Sequence, residues 1–293
     1  MENTRTKTTR NSLILLLTAA IWGMAFVSQS KGMDYMHPFT FNGVRSLIGA
    51  ASILVYILIS RKIAGDKAAP LDWKLNVKAG LLCGIFLTIA STLQQFGIKY
   101  TSVGKAGFIT TLYIIFVPMF GIFLKKKVAP VVWVAAVMAA VGMYLLCMTE
   151  SLRLGAGDIM VFLCAIAFAI QIMTVDHYAA RIDGAVVSCI QFTVCGVVCC
   201  IGALIWGQPT FGQIQEGLGA LLYAGVLSCG VGYTLQIVGQ KGLNPTVAAL
   251  IMSLESVIAT ISGWIAYKIG FLSTDQTLTP RQIAGCVIVF AAV

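Results

Sequence analysis

The chain has 293 residues, of which 58% are apolar and only 11% are charged, with a net charge of +9. A water-exposed surface needs about 25% charged residues, and a lipid-exposed one excludes them. This composition excludes a soluble domain. The excess of Lys and Arg does not form a nucleic-acid surface either, because it sits in short clusters between apolar runs (Arg5, Lys7 and Arg10; Arg61, Lys62 and Lys67; Lys125, Lys126 and Lys127). That is the pattern of cytoplasmic loops.

About 20 apolar residues are needed to cross the hydrocarbon core as a helix. On that measure the sequence predicts spans at 12–30, 38–60, 79–99, 103–124, 128–148, 157–176, 184–206, 217–240, 245–268 and from 280 onward. The first could mimic a signal peptide, since Arg5 to Arg10 precede Leu13 to Leu17. Its apolar run continues through Trp22 and Val27, however, a length that suits a retained span. The last run, Pro280 to Val293, reaches only about 21 Å of a ~30 Å core, so a natural chain continuing past Val293 is expected. With the N-terminus in the cytoplasm, inside segments outnumber outside ones in Lys and Arg by roughly two to one. That places Lys62 and Lys126 inside and Arg153 outside, in a multi-pass cell-membrane protein.

The nine Cys lie within apolar runs, without C-x-x-C and His spacing, and read as small packing residues. No metal or other cofactor is expected.

The chain also repeats itself. Thr92-Leu93-Gln94-x-x-Gly97-x-Lys99 recurs as Thr234-Leu235-Gln236-x-x-Gly239-x-Lys241. The same register aligns Ala106 with Ala248, Ile109 with Ile251, Leu112 with Leu254 and Gly121 with Gly263. Each half, 1–150 and 151–293, holds five predicted spans. An odd number sends the second half into the membrane from the opposite side, so the repeats are inverted. The expected fold is all-α and integral to the membrane, with ten transmembrane helices in two inverted five-helix repeats. Such repeats recur in secondary transporters, with the substrate site near the midplane between them.

Several short motifs, taken in order, carry a family resemblance. They are Trp22-Gly23-x-x-Phe26, His37-Pro38 with Arg45, Gly157-Asp158, Leu254-Glu255, and Leu278-Thr279-Pro280-Arg281-Gln282-x-x-Gly285. Together they resemble the drug/metabolite transporter superfamily of EamA type, across essentially the whole chain. The resemblance implies a bilayer-embedded exporter of amino acids, other metabolites or toxic compounds. Its cavity would lie between helices one to four and six to nine, with helices five and ten peripheral. Two departures stand out. Ser256 occupies the position where the family has Pro, so no proline kinks span nine. The loop from Lys268 to Thr277 is also longer than usual.

Candidate site residues follow from polarity within the spans. Glu255 is the only carboxylate deep in a span, and an ionised group there costs about 2.5–3.5 kcal/mol, so it reads as a proton-coupling group or a hydrogen-bonded structural one. Arg45 lies seven residues past Pro38, roughly 10 Å into its span, and would bind an anionic group or pair structurally. Gln94 and Gln236 are repeat equivalents that line a cavity or bridge helices. Trp22, Tyr113, Tyr233 and Trp264 would form aromatic walls or sit at the membrane interface. Stripes of small residues, Gly107, Thr111, Pro118 and Gly121 on span four and Ala249, Ser253, Ser256, Thr260 and Gly263 on span nine, read as helix-contact surfaces.

Two rival classes remain. Gly155-Ala156-Gly157-Asp158 matches the Gly-x-Gly-Asp string of intramembrane aspartyl proteases, with Asp176 as a second aspartate. The two lie about 27 Å apart along one helix, whereas a catalytic pair shares a proton at close range. A membrane receptor or scaffold fits the composition but not the inverted repeat. The expected partners are a small-molecule substrate and the lipid bilayer, with no nucleic acid, and pairing into a homodimer stays open.

Overall fold

A computed structural model describes residues 4–65, 70–124, 130–147, 155–273 and 275–293. Among them lie eight helices long and apolar enough to cross a membrane: α1 (Thr4–Gly32), α2 (Pro38–Ala64), α3 (Trp73–Ile98), α4 (Val103–Phe123), α6 (Ala156–Tyr178), α7 (Gly184–Gly207), α8 (Leu218–Gln240) and α9 (Pro245–Lys268). Two further apolar helices are shorter, α5 (Pro130–Cys147) and α10 (Pro280–Ala292). The expected spans all coincide with helices. Their ends differ because a helix continues past the hydrocarbon: α1 begins at Thr4 and α3 at Trp73, each six or more residues before the apolar run that marks it. Lys126 and Arg153 lie outside the described residues.

Helix starts follow from local chemistry. Pro stands at the first position of α2, α9 and α10, where no N–H is needed. Asp72, Asp183 and Asn244 accept backbone N–H bonds as N-caps of α3, α7 and α9, and Thr279 with Gln282 forms a capping box on α10.

The polarity of the bundle is inverted relative to a soluble protein. Leu54, Val55, Leu58 and Ile59 of α2 and Val131, Val134 and Val137 of α5 are exposed, while Arg45, Gln95, Gln171, Gln191 and Glu255 are buried. Such an arrangement is stable when the surroundings are lipid, which favours apolar side chains outside and polar ones turned to the bundle interior.

The chain passes back and forth between two ends. At one end Asn11 Nδ2 donates to the Lys241 carbonyl (2.7 Å) and the Asp183 N–H to Asn76 Oδ1 (2.9 Å), and Arg61, Arg181 and Lys241 surround one surface depression. At the other end Lys31 faces the Phe271 ring, and Lys105 pairs with Asp158 at 2.6 Å.

The main helix contacts are α2 on α7, α3 on both α6 and α7, α8 on both α1 and α2, and α9 on both α1 and α4. α5 and α10 pack on each other at the side of the bundle. Glycines set the closest crossings. A Cβ on Gly97 would lie 2.8 Å from the Gly157 carbonyl, and one on Gly142 2.9 Å from the Gly285 carbonyl. The stripes of spans four and nine do meet: Gly107 faces Ala259 and Ser256, and Gly104 faces Thr260.

Three helices lose regular α-geometry inside the bundle. α4 is interrupted at Leu112, where Val103–Thr111 gives way to Tyr113–Phe123. α9 is interrupted at Ser253-Leu254, between Pro245–Met252 and Glu255–Lys268. No proline is needed there. Ser253 Oγ donates to the Leu250 carbonyl (2.7 Å) and Ser256 Oγ to the Ser253 carbonyl (2.8 Å), competing with the helical ladder. In α8 the stretch Tyr223–Gly232 adopts π-helical turns, which frequently mark functional sites.

Candidate functional site: a polar cavity at the helix interruptions

The interruptions in α4 and α9 bring Tyr113 and Glu255 together. Tyr113 Oη donates to Glu255 Oε1 at 3.0 Å, and the two residues are 2% and 3% exposed. Each is the first residue after its break, and the repeat register that aligns Leu112 with Leu254 aligns these two as well.

This pair forms one side of an internal cavity. α1 contributes Trp22, Phe26 and Gln29; α2 contributes Arg45 and Ser46; α3 contributes Leu87, Ser91 and Gln94; α4 contributes Thr110 and Tyr113. From the second half come Phe168, Gln171 and Ile172 of α6, Phe192 of α7, Ser228, Cys229, Tyr233 and Gln236 of α8, and Glu255 of α9. Trp22, Arg45, Gln94, Tyr113, Tyr233, Gln236 and Glu255 therefore line one cavity, whereas Trp264, also read as an aromatic wall, does not. Neither α5 nor α10 reaches it. About 40 Å³ is open to a water-sized sphere, room for water, whose share of liquid volume is about 30 Å³, but far below the ~300 Å³ of a typical ligand pocket.

The walls are held by specific contacts. Trp22 stacks obliquely on Tyr233 (centroids 4.5 Å apart), and Phe192 meets the same Tyr edge-on (5.0 Å). Trp22 Nε1 donates to the Ser228 carbonyl at 3.4 Å, a carbonyl in the π-helical stretch of α8. Gln236 Nε2 donates to Gln171 Oε1 (3.2 Å), and Gln171 Nε2 to Gln191 Oε1 (3.5 Å). On the first half Gln94 Nε2 donates to Thr110 Oγ1 (3.2 Å). Arg45 Nε donates to Asn42 Oδ1 (2.9 Å), and its guanidinium lies over the Phe41 ring (5.4 Å).

Sequence reasoning missed Gln29, Ser91 and Gln171 as cavity residues. The signal was available for Gln171, a mid-span amide on an otherwise apolar helix, read by the same rule that selected Gln94 and Gln236. The Gly-x-Gly-Asp string lies elsewhere. Asp158 accepts from Lys105 Nζ, Thr101 Oγ1 (2.9 Å) and the Gly155 N–H (2.8 Å) at one end of the bundle. Asp176 is near the opposite end of the same helix, so no aspartate pair forms.

A bundle of long apolar helices around an internal polar cavity defines a multi-pass membrane protein of transporter type. The chain belongs to the EamA-like transporter family, whose model matches it twice, at residues 10–148 and 155–293. It is 28% identical to an uncharacterized transporter of Archaeoglobus fulgidus, over 95% of this chain and 83% of that one. It is 27% identical to the uncharacterized transporter YwfM of Bacillus subtilis, over 86% and 84% of the two chains. A solved crystal structure superposes with a TM-score of 0.73 at 16% identity, covering 97% of this chain and 95% of that one, a likeness of fold.

Proposed function

We propose that the protein is a secondary transporter that exports a small metabolite or toxic compound by alternating access, with the central cavity as its substrate site. The observation that carries this reading is the Tyr113–Glu255 pair, which joins two interrupted helices at the wall of a central cavity. Interrupted helices at membrane depth are tolerated where they are buried in protein or line a cavity, and in transporters they form the substrate site.

Two inverted five-helix units, 1–150 and 151–293, would supply the mechanism. Exchanging α1–α5 with α6–α10 maps the helix neighbours onto one another: α1 on α8 corresponds to α6 on α3, α1 on α9 to α6 on α4, and α2 on α8 to α7 on α3. The pairs α2/α7, α4/α9 and α5/α10 correspond to themselves. The double match of the family model supports the same division. In a pseudo-symmetric assembly each half can take the conformation of the other, which closes the cavity to one side and opens it to the other. The basic end with Arg61, Arg181 and Lys241 would face the cytoplasm, with the N-terminus, in a cell membrane.

Glu255 is the proposed proton-coupling group, a buried carboxylate on a helix whose Ser253, Ser256 and Thr260 give a partly polar surface, facing the substrate space. The test is transport in proteoliposomes, with substrates first narrowed by metabolite profiling of cells with and without the protein. Glu255→Gln keeps the acceptor for Tyr113 but cannot titrate. It should retain substrate-for-substrate exchange and lose accumulation driven by a pH gradient. Wild-type pH dependence in Glu255→Gln vesicles, at normal protein level, contradicts the coupling role. A profile unaltered by the protein, with no flux of any candidate solute, contradicts transport itself.

A further inference from the structure

The cavity holds one charged group with no use in the mechanism above, Arg45. It is 5% exposed and lines the cavity. Its plane is fixed from two sides, by the Nε bond to Asn42 Oδ1 and by the Phe41 ring, while Asn42 is itself tied to α3 through the Ser91 carbonyl (2.9 Å). Those contacts leave the outer edge of the guanidinium, with its two Nη groups, unused. Arg45 is not part of the ion pairs Lys31–Asp34 and Lys105–Asp158, and among the described residues no carboxylate neutralises it within 4.0 Å. The carboxylate in the same cavity, Glu255, is bonded to Tyr113 instead. A cation held at membrane depth without a counter-ion is costly, and a preorganised guanidinium edge matches the two oxygens of a carboxylate.

Five aromatic side chains, Trp22, Phe26, Phe168, Phe192 and Tyr233, line the cavity beside aliphatic and small polar ones. We infer that Arg45 anchors the carboxylate of the solute, and that the protein takes small monocarboxylates with an apolar or aromatic body. One cation selects one anionic group. The rings provide contact for the body of the molecule. The assignment rests on the transport reading only for the word solute; the binding site stands on the geometry around Arg45.

The experiment uses the full chain in lipid nanodiscs, with isothermal titration and thermal unfolding against matched probes: phenylacetate with phenylacetamide, and 3-methylbutanoate with 3-methylbutanamide. An acid should bind at least tenfold more tightly than its amide and raise the unfolding temperature. Inorganic phosphate should do neither. Arg45→Gln should bring acid binding down to the amide level, and Arg45→Lys should retain a reduced preference. Equal binding of acid and amide, an acid preference that survives Arg45→Gln, phosphate binding as tight as the acid, or failure of both acids to bind each overturns the inference. Should Arg45→Gln not fold, the acid–amide comparison on wild type and Arg45→Lys decides. The two readings fail separately. Acid binding with no flux in proteoliposomes defeats transport and leaves the Arg45 site, whereas flux without acid selectivity, unchanged by Arg45→Gln, does the reverse.

Discussion

The Tyr113–Glu255 hydrogen bond can be measured by a double-mutant cycle whose outcome follows from burial alone. Both groups are sealed from solvent, and the 3.0 Å bond joins α4 to α9 at their interruptions. Tyr113→Phe removes the donor and leaves a buried carboxylate oxygen without it; Glu255→Leu removes the acceptor and leaves a buried hydroxyl. Each single change should cost about 1–3 kcal/mol, the penalty for an unsatisfied buried polar group. The double variant Tyr113→Phe with Glu255→Leu replaces both partners by apolar groups of similar shape, and should lie within about 1 kcal/mol of wild type. The coupling energy is then at least about 1 kcal/mol and opposite in sign to the single losses. Equilibrium unfolding of the purified protein in detergent micelles reads all four corners. If the double variant is as unstable as the sum of the singles, to within about 0.5 kcal/mol, the bond does not form and the description of the site is wrong. A stable double variant also yields a folded protein without the titratable group, which separates the loss of proton coupling from the loss of fold.

Three further outcomes test other parts of the structure. Gly97→Ala places a Cβ 2.3 Å from Val161 Cγ2 and 2.8 Å from the Gly157 carbonyl, which cannot rotate away, and should lower stability by about 1–3 kcal/mol in the same unfolding assay; Gly219→Ala, with nothing within 4 Å, should be near neutral. Asp158→Asn removes the charge that Lys105 and Thr101 bind and should cost about 1.5–3 kcal/mol, an effect that a charge-preserving Asp158→Glu reproduces only in part. In a cysteine-free background, an impermeant thiol reagent added to intact cells should label Lys99→Cys and spare Lys62→Cys; the reverse pattern inverts the proposed orientation.

Much of the site could be read from sequence because lipid penalises polar groups so heavily. Glu255, Arg45, Gln94 and Gln236 stood out against apolar runs, and all face the cavity. The repeat register carried further information, since it aligned Leu112 with Leu254, the residues at which α4 and α9 break. What stayed hidden depends on the backbone rather than on hydropathy. The π-helical turns of Tyr223–Gly232 shift the register of α8 without altering its apolar pattern. The break in α9 comes from Ser253 and Ser256 bonding back to carbonyls, which no proline announces. The short helix Phe211–Glu216 lies in a polar connection that reads as a loop. Gln29 is near the end of α1, where a polar residue passes for an interfacial one.

The size of the cavity and the nature of its contacts constrain how alternating access would work here. With about 40 Å³ open, a metabolite enters only if helices part. The glycine crossings are poor places for that movement. A Cβ added to Gly97 would lie 2.8 Å from the Gly157 carbonyl, and one added to Gly142 2.9 Å from the Gly285 carbonyl, so at each of these crossings two backbones approach closely. The aromatic contacts are different. Trp22, Tyr233 and Phe192 touch through rings that can change rotamer while their helices move little. α4 and α9 add a second adaptable element, since each can bend where its ladder is already broken. The movement that admits substrate should therefore leave the Gly97–Gly157 and Gly142–Gly285 crossings intact. It should concentrate on the half-helices that begin at Tyr113 and Glu255, the two residues whose hydrogen bond joins them.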